Sequence, residues 1–301
     1  VGGLSVYQIK RDFLFFLALI APAVLIVGVL IIYPVINGVY LSFTDASPLR
    51  RGGLNFVGLE NYTFLLEDDV FYASAFNTSY IVFISSALAI IIGFMMALLL
   101  HFGIKRGATL LRSLVFQIWV VPWICITLLW GWLFDTDYGL VNSLFTWIGL
   151  TETNMDLLFD QTGAKWVIIA GFTWRSIPFL MVIALAALQS VSKEVLEAAT
   201  LDGARFFNRL WHIIIPMVRN VLLVALLLDS VRFFQEMTMP LVLTQGGPSN
   251  ATMVLSLFTY KLAFENWDFA LASTAGTLWL AFLMLVAWLL LKFGMKKEYG
   301  K

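Results

Sequence analysis

The chain has 301 residues, 60% of them apolar and 13% charged, and its 19 basic and 19 acidic side chains leave no net charge. Soluble domains carry about 25% charged residues, so this composition excludes an ordinary soluble domain, and the balanced charge gives no basic footprint for nucleic acid. The single cysteine, Cys125, excludes an intramolecular disulfide framework and a cysteine-based zinc site.

The apolar residues lie in long runs. No charge interrupts the interval from Asp12 to Asp45, and residues 13–33 predict a first membrane-spanning helix after a short segment, 1–12. Further spans are predicted at about 76–100, 113–134, 166–190, 213–235 and 269–291, followed by a tail, 292–301. Each approaches the roughly 20 residues that a helix needs to cross about 30 Å of hydrocarbon. The fourth span carries Arg175 and the fifth carries Arg219, Asp229 and Arg232. The runs are continuous rather than alternating, which favours helices over a barrel. The expected fold class is all-α integral membrane with six transmembrane helices. Residues 13–33 follow Lys10 and Arg11, as a signal peptide would, but the run is too long and lacks a small-residue cleavage site before Tyr33-Pro34. A retained first span is expected.

Loop charges set the orientation. With the N-terminus inside, the inner segments hold Lys10, Arg11, Lys105, Arg106, Arg112, Lys193, Arg205, Arg209, Lys292, Lys296, Lys297 and Lys301. The outer loops hold Arg50, Arg51, Lys165 and Lys261 and collect most of the acids. Both termini are therefore expected to be cytoplasmic. Turns are expected at Asp45–Pro48, Arg51–Gly53 and Gly246-Gly247-Pro248. After the last of these, Val254, Leu257, Phe258 and Leu262 have helical spacing, which predicts a short amphipathic helix at the outer membrane face.

Catalytic signatures are missing. The chain has no G-x-x-x-x-G-K-[ST] phosphate loop and no H-E-x-x-H. His101 and His212 are far apart and read as interfacial side chains, and Cys125 reads as core packing. Ion-coupled transporters place carboxylates near the bilayer midplane; here only Asp229 is well inside a span, with Glu236 near its outer end. Arg232 lies one helical turn from Asp229, close enough for mutual neutralisation. Arg175 can form an ion pair with Asp229 or face solute. Arg232, Gln235 and Glu236 are similar candidates for the solute path. Trp119, Trp123, Trp130 and Trp174 can stack on a sugar ring or simply pack and anchor.

The inner loop, 191–212, is the most charged stretch on that side. Glu197–Ala204 predicts a helix turning at Gly203, and a second helical stretch, 205–215, precedes Pro216. Such a helix–turn–helix suits either a knob for a partner's groove or a plain solvated loop. Glu197-Ala198-Ala199, three residues, Gly203, nine residues, then Ile213-Ile214-Ile215-Pro216 resembles the E-A-A-x3-G-x9-I-x-L-P loop of binding-protein-dependent ABC permeases, with Ile215 in place of leucine. Asp202-Gly203-Ala204 is similar to the variant of the carbohydrate-uptake (maltose and glycerol-phosphate type) branch. Other passages resemble it in the same order: Tyr33-Pro34 with Ser42-Phe43, Phe56–Tyr62, Asn77-Thr78, Leu188–Ser190, Leu243–Pro248, and Tyr260 with Ala263-Phe264.

The resemblance implies a permease subunit of an importer for a sugar or sugar derivative in a bacterial or archaeal cytoplasmic membrane. Its partners would be a second, non-identical permease, two ATPase subunits that bind ATP and magnesium, and an extracytoplasmic solute-binding protein. No cofactor is expected in this chain. Glu197, Ala198, Ala199, Asp202, Gly203 and Pro216 would couple to the ATPases, and Gly246, Gly247 and Pro248 would meet the binding protein. Two alternatives stay open: the same machine carrying an anionic solute, such as a sulfonated or phosphorylated sugar or polyol, and a stand-alone ion-coupled transporter using Asp229.

Overall fold

The computed structural model describes residues 6–49, 53–104, 106–289 and 292. Arg50, Arg51, Lys105, Lys296, Lys297 and Lys301, used above for orientation, lie outside the described residues, as do Gly52, the end of the last predicted span at 290–291 and most of the tail. The helices in chain order are α1 (Val6–Val27), α2 (Tyr33–Leu41), α3 (Glu60–Leu66), α4 (Asp69–Leu98), α5 (Ala108–Val120), α6 (Trp123–Leu133), α7 (Leu140–Trp147), α8 (Gln161–Gln189), α9 (Lys193–Leu201), α10 (Phe206–Arg209), α11 (Ile215–Gln235), α12 (Thr238–Thr244), α13 (Leu255–Tyr260) and α14 (Phe269–Leu289). Among the described residues, β pairing is limited to one isolated bridge, Thr44 with Phe56. Among the described residues, five helical stretches are long and apolar enough to cross a membrane, and α5 with α6 makes a sixth if that bent pair is one span.

The departures from the predicted spans sit at prolines and π-turns. The first helix continues past Tyr33-Pro34 to Leu41, because Gly28–Ile32 winds as a π-turn and Pro34 falls where it starts the next helical segment. The third predicted span, 113–134, is not one straight helix. Pro122 follows an extended Val121, and the axis bends by 96° between α5 and α6; a proline ring clashes with the preceding turn and contributes no N–H. Pro216 likewise stands in the first turn of a helical segment, α11, directly after a π-turn. Helical backbone runs from Phe206 to Gln235, and the π-turn Leu210–Ile214 precedes Pro216. Cys125, expected in the core, is exposed on α6.

Two compact units are distinguished. One contains residues up to Glu67 together with Lys261–Trp279. Within it, no residue of the helix from Phe15 to Leu41 is buried. The turn after it is clamped: Asn61 Nδ2 donates to the Ser42 carbonyl at 2.9 Å and the Thr44 carbonyl at 2.7 Å, and Tyr62 shares a 2.6 Å hydrogen bond with the Ser42 hydroxyl. Phe43 packs on Tyr62 at 5.2 Å and Phe56 at 6.2 Å. Phe56–Tyr62 is therefore a structural clasp.

The other unit contains Asp68–Tyr260 and the residues from Leu280 on. Its centre is the packing of α4 on α8. Asp68 caps α4 by accepting from the Val70 amide at 2.7 Å, and Asp160 caps α8 by accepting from the Gly163 amide at 2.7 Å. Along α4, Ser85, Ala89, Gly93 and Ala97 recur every fourth residue and are buried. This small-residue stripe lets the two backbones approach closely, as membrane helices do. A Cβ at Gly93 would lie 3.0 Å from the Met181 amide nitrogen and 3.1 Å from the Ile177 carbonyl. α11 completes the layer through Val218 and Ala225. Val254, Leu257 and Phe258 of the predicted amphipathic stretch are buried, so that segment packs against protein instead of presenting an apolar face to lipid.

Candidate functional site

Arg175 on α8 and Asp229 and Arg232 on α11 are brought together in the second unit, but the expected ion pair does not form. Asp229 is 2% exposed, and its Oδ1 accepts a 2.7 Å hydrogen bond from Ser176 Oγ, tying α11 to α8. Its Oδ2 has no hydrogen-bond partner among the described residues. Each arginine instead lies over an aromatic face: Arg175 over Trp123 at 4.4 Å, Arg232 over Phe179 at 4.6 Å and Trp119 at 5.5 Å. Trp119 itself stacks on Phe179 at 5.9 Å. The ring faces hold the guanidinium planes by cation–π attraction and leave N–H donors unspent; Arg175 Nε is buried without a partner. Both arginines act on the Asp229 charge without a direct pair, and Glu236 acts on Arg175 as well.

The remaining solute-path candidates fall into two groups. Arg232 and Gln235 are exposed, and Trp119 and Arg175 half-buried, on the same two helices and the adjoining α5. Trp123 packs inward on Phe172 at 5.2 Å and Phe233 at 6.4 Å. Trp174 meets Trp130 edge-on at 6.2 Å, and Trp130 stacks on Phe134 at 5.3 Å. Glu236 terminates α11, where its Oε1 accepts from the Thr238 amide at 2.6 Å. Phe179 was missed in the sequence, where nothing marks it off from its apolar neighbours.

The segment 191–212 forms α9 and a sharp reversal. Ser192 caps α9 and donates to Glu194, which holds that carboxyl below its ordinary range. Asp202 is the C-cap, its amide donating to the Ala198 carbonyl at 3.0 Å. Gly203 follows at φ +82°, and the Ala204 amide reaches back to the Ala199 carbonyl at 2.9 Å, the glycine-terminated helix end in which a left-handed residue satisfies the last carbonyls. Ala199 is buried, whereas Glu197, Ala198, Asp202, Gly203 and Pro216 are exposed. Leu201 is 89% exposed and Phe207 70%. These apolar tips have no counterpart among the coupling residues expected from the motif. Their signal was plain, since apolar residues stand in a polar loop.

Gly246-Gly247-Pro248 follows α12. Gly246 has φ +89° and is buried, and a Cβ there would meet the Met253 methyl carbon at 2.5 Å. Thr252 Oγ1 donates to the Gly247 carbonyl at 2.7 Å. Asn77 Nδ2 donates to the Asn250 carbonyl at 2.8 Å, and the Leu255 amide donates to Thr78 Oγ1 at 2.7 Å. Asn77-Thr78 thus pins the loop to α4. The exposed positions of the turn are Gln245, Ser249 and Asn250.

Residues 89–296 match the family described as the binding-protein-dependent transport system inner membrane component. The chain belongs to this family. The permease is 32% identical to the trehalose/maltose transport system permease protein MalF of Thermococcus litoralis, covering 86% of each chain. It is 28% identical to the sulfoquinovosyl glycerol transport system permease protein SmoG of Agrobacterium fabrum, covering 91% of the permease and 88% of SmoG. Its fold superimposes with a TM-score of 0.81 on a chain of a bacterial ABC transporter that imports the acidic polysaccharide alginate, at 18% identity and covering 97% of the permease and 99% of that chain. The all-helical, multi-pass inner-membrane architecture follows from family and fold together.

Proposed function

We propose that the chain is a membrane subunit of an ATP-driven importer for a sugar or sugar derivative, which forms the solute path with a second, different permease. ATP and magnesium would be handled by two partner ATPases, and a solute-binding protein would deliver the cargo on the side opposite α9, with both termini of the chain on the α9 side. The observation that carries this reading is α9 itself. It is a short, exposed helix ended by Gly203, with Leu201 and Phe207 bared to solvent on a chain that belongs to a transport family and lacks a phosphate loop. Closure of the ATPases would push on this helix, and α8 and α11, which flank it in the chain, would carry the motion to the arginine–aromatic site. The exposed rim of the Gly246–Pro248 turn would meet the binding protein.

A second reading, that the cargo is anionic, is favoured by the two guanidinium groups. Both are stacked on aromatic rings rather than hydrogen-bonded to a carboxylate, so they retain donors for a sulfonate, phosphate or carboxylate. The relatives are named for both neutral and acidic sugars, and the two arginines favour the acidic kind. The test is uptake into vesicles holding the complete transporter, with neutral and anionic sugars competing. Inhibition by the anionic set alone supports the second reading, and inhibition by the neutral set alone removes it.

A further inference from the structure

Along α5, away from Arg232, the aromatic contacts continue from Trp119 to Phe116 at 5.5 Å. One turn further on, Arg112 borders two grooves. The first, of about 250 Å³, is lined by His101 of the π-turn Leu99–Gly103, Thr109 and Arg112 of α5 and Gln189 of α8, with Leu100 and Leu185 as its apolar wall. The second, of about 240 Å³, is bordered by Arg112, Ser113, Phe116 and Val182. Among the described residues, no carboxylate lines either groove. Lys193, at the start of α9, is within electrostatic range of His101, and Gly107 offers no side chain to bond the first-turn amides of α5.

The two grooves divide by chemistry at a single residue. Arg112 and the polar side chains of His101, Thr109 and Gln189 gather at the helix ends, and an apolar trough follows α5 toward the middle of the span. That is the order of charge and hydrocarbon in a phospholipid. We propose that the paired grooves hold one acidic phospholipid, its phosphate between Arg112 and His101 and an acyl chain along Phe116 and Val182. A basic pocket between spanning helices at a membrane face attracts anionic headgroups, and an arginine at a span's end extends its charged tip to the interface while its stem covers apolar surface.

The probe is phosphatidylglycerol, titrated onto the purified complete transporter in a zwitterionic detergent and read by native mass spectrometry. Wild type retains phosphatidylglycerol over phosphatidylcholine; Arg112→Gln weakens that retention roughly five-fold, as expected for one interfacial charge, and Arg112→Lys restores most of it. Val182→Trp fills the apolar groove with Arg112 intact and also lowers retention. Arg106→Gln removes an equal charge outside both grooves and leaves retention unchanged. The proposal is overturned if Arg106→Gln costs as much as Arg112→Gln, which means diffuse surface charge. It is equally overturned if Val182→Trp has no effect while inorganic phosphate displaces the lipid, which means a free-anion site, or if an imported sugar displaces the lipid, which means a solute station.

Discussion

At the scale of single residues, the question is what the intramembrane charges do. Asp229 spends one oxygen on Ser176 and keeps the other bare, while Arg175 and Arg232 rest on rings. A buried hydrogen bond to a charged group contributes about 1.5–3 kcal/mol. Ser176→Ala should therefore destabilise the α8–α11 contact by that order and lower the unfolding midpoint in detergent; an unchanged midpoint would show that Asp229 finds another donor. Arg232→Gln removes the exposed guanidinium and leaves its platform of Trp119 and Phe179. If the cargo is anionic, this variant should raise the half-saturating concentration for uptake at least ten-fold, about 1.4 kcal/mol, with the amount of assembled transporter unchanged. Equal uptake by variant and wild type would place Arg232 off the path.

At the scale of elements, two glycines have different duties and so different expected failures. Gly93 lies against the backbone of α8, and a side chain there meets the Met181 amide and the Ile177 carbonyl, neither of which can swing aside. Gly93→Val should cost about 1–3 kcal/mol by overpacking and appear as reduced membrane expression. Gly203 has open space where a Cβ would go, so crowding within this chain is not its constraint. Its constraint is φ +82°, which costs a side-chain-bearing residue about 1–2 kcal/mol. Gly203→Asp should leave the protein assembled, with ATP hydrolysis persisting while uptake is lost; normal uptake by this variant would dismiss α9 as the coupling helix.

These elements were unequally legible in the sequence. Hydrophobic runs announced the spans because lipid demands about 20 apolar residues in a row, and the E-A-A…G spacing announced α9. The break at Pro122 was written in the chain but overruled by the continuity of the apolar run. The stacked arginines were not legible, because Trp119, Phe179 and Arg232 come from three helices and meet only through the packing of α5 and α11 on α8. Asn61 and Asn77 looked like motif letters; the structure gives both the same task, satisfying carbonyls of irregular loops.

At the scale of the whole molecule, the chain reads as one part of a machine. No residue of the helix Phe15–Leu41 is buried, and Leu201 and Phe207 are exposed. Leu201→Glu should weaken retention of the ATPase during purification without changing the thermal stability of the isolated permease, since the side chain is 89% exposed in this fold. Retention equal to wild type would move the contact elsewhere on the loop. The central claim is that this chain moves solute only when ATP is hydrolysed by partners. The most direct measurement is sugar uptake into vesicles containing the purified chain, first alone and then with its co-purifying permease, ATPases and binding protein. The account predicts no uptake by the chain alone and ATP-dependent uptake by the full set. Uptake by the chain alone without ATP, driven by an ion gradient and lost in Asp229→Asn, would contradict it.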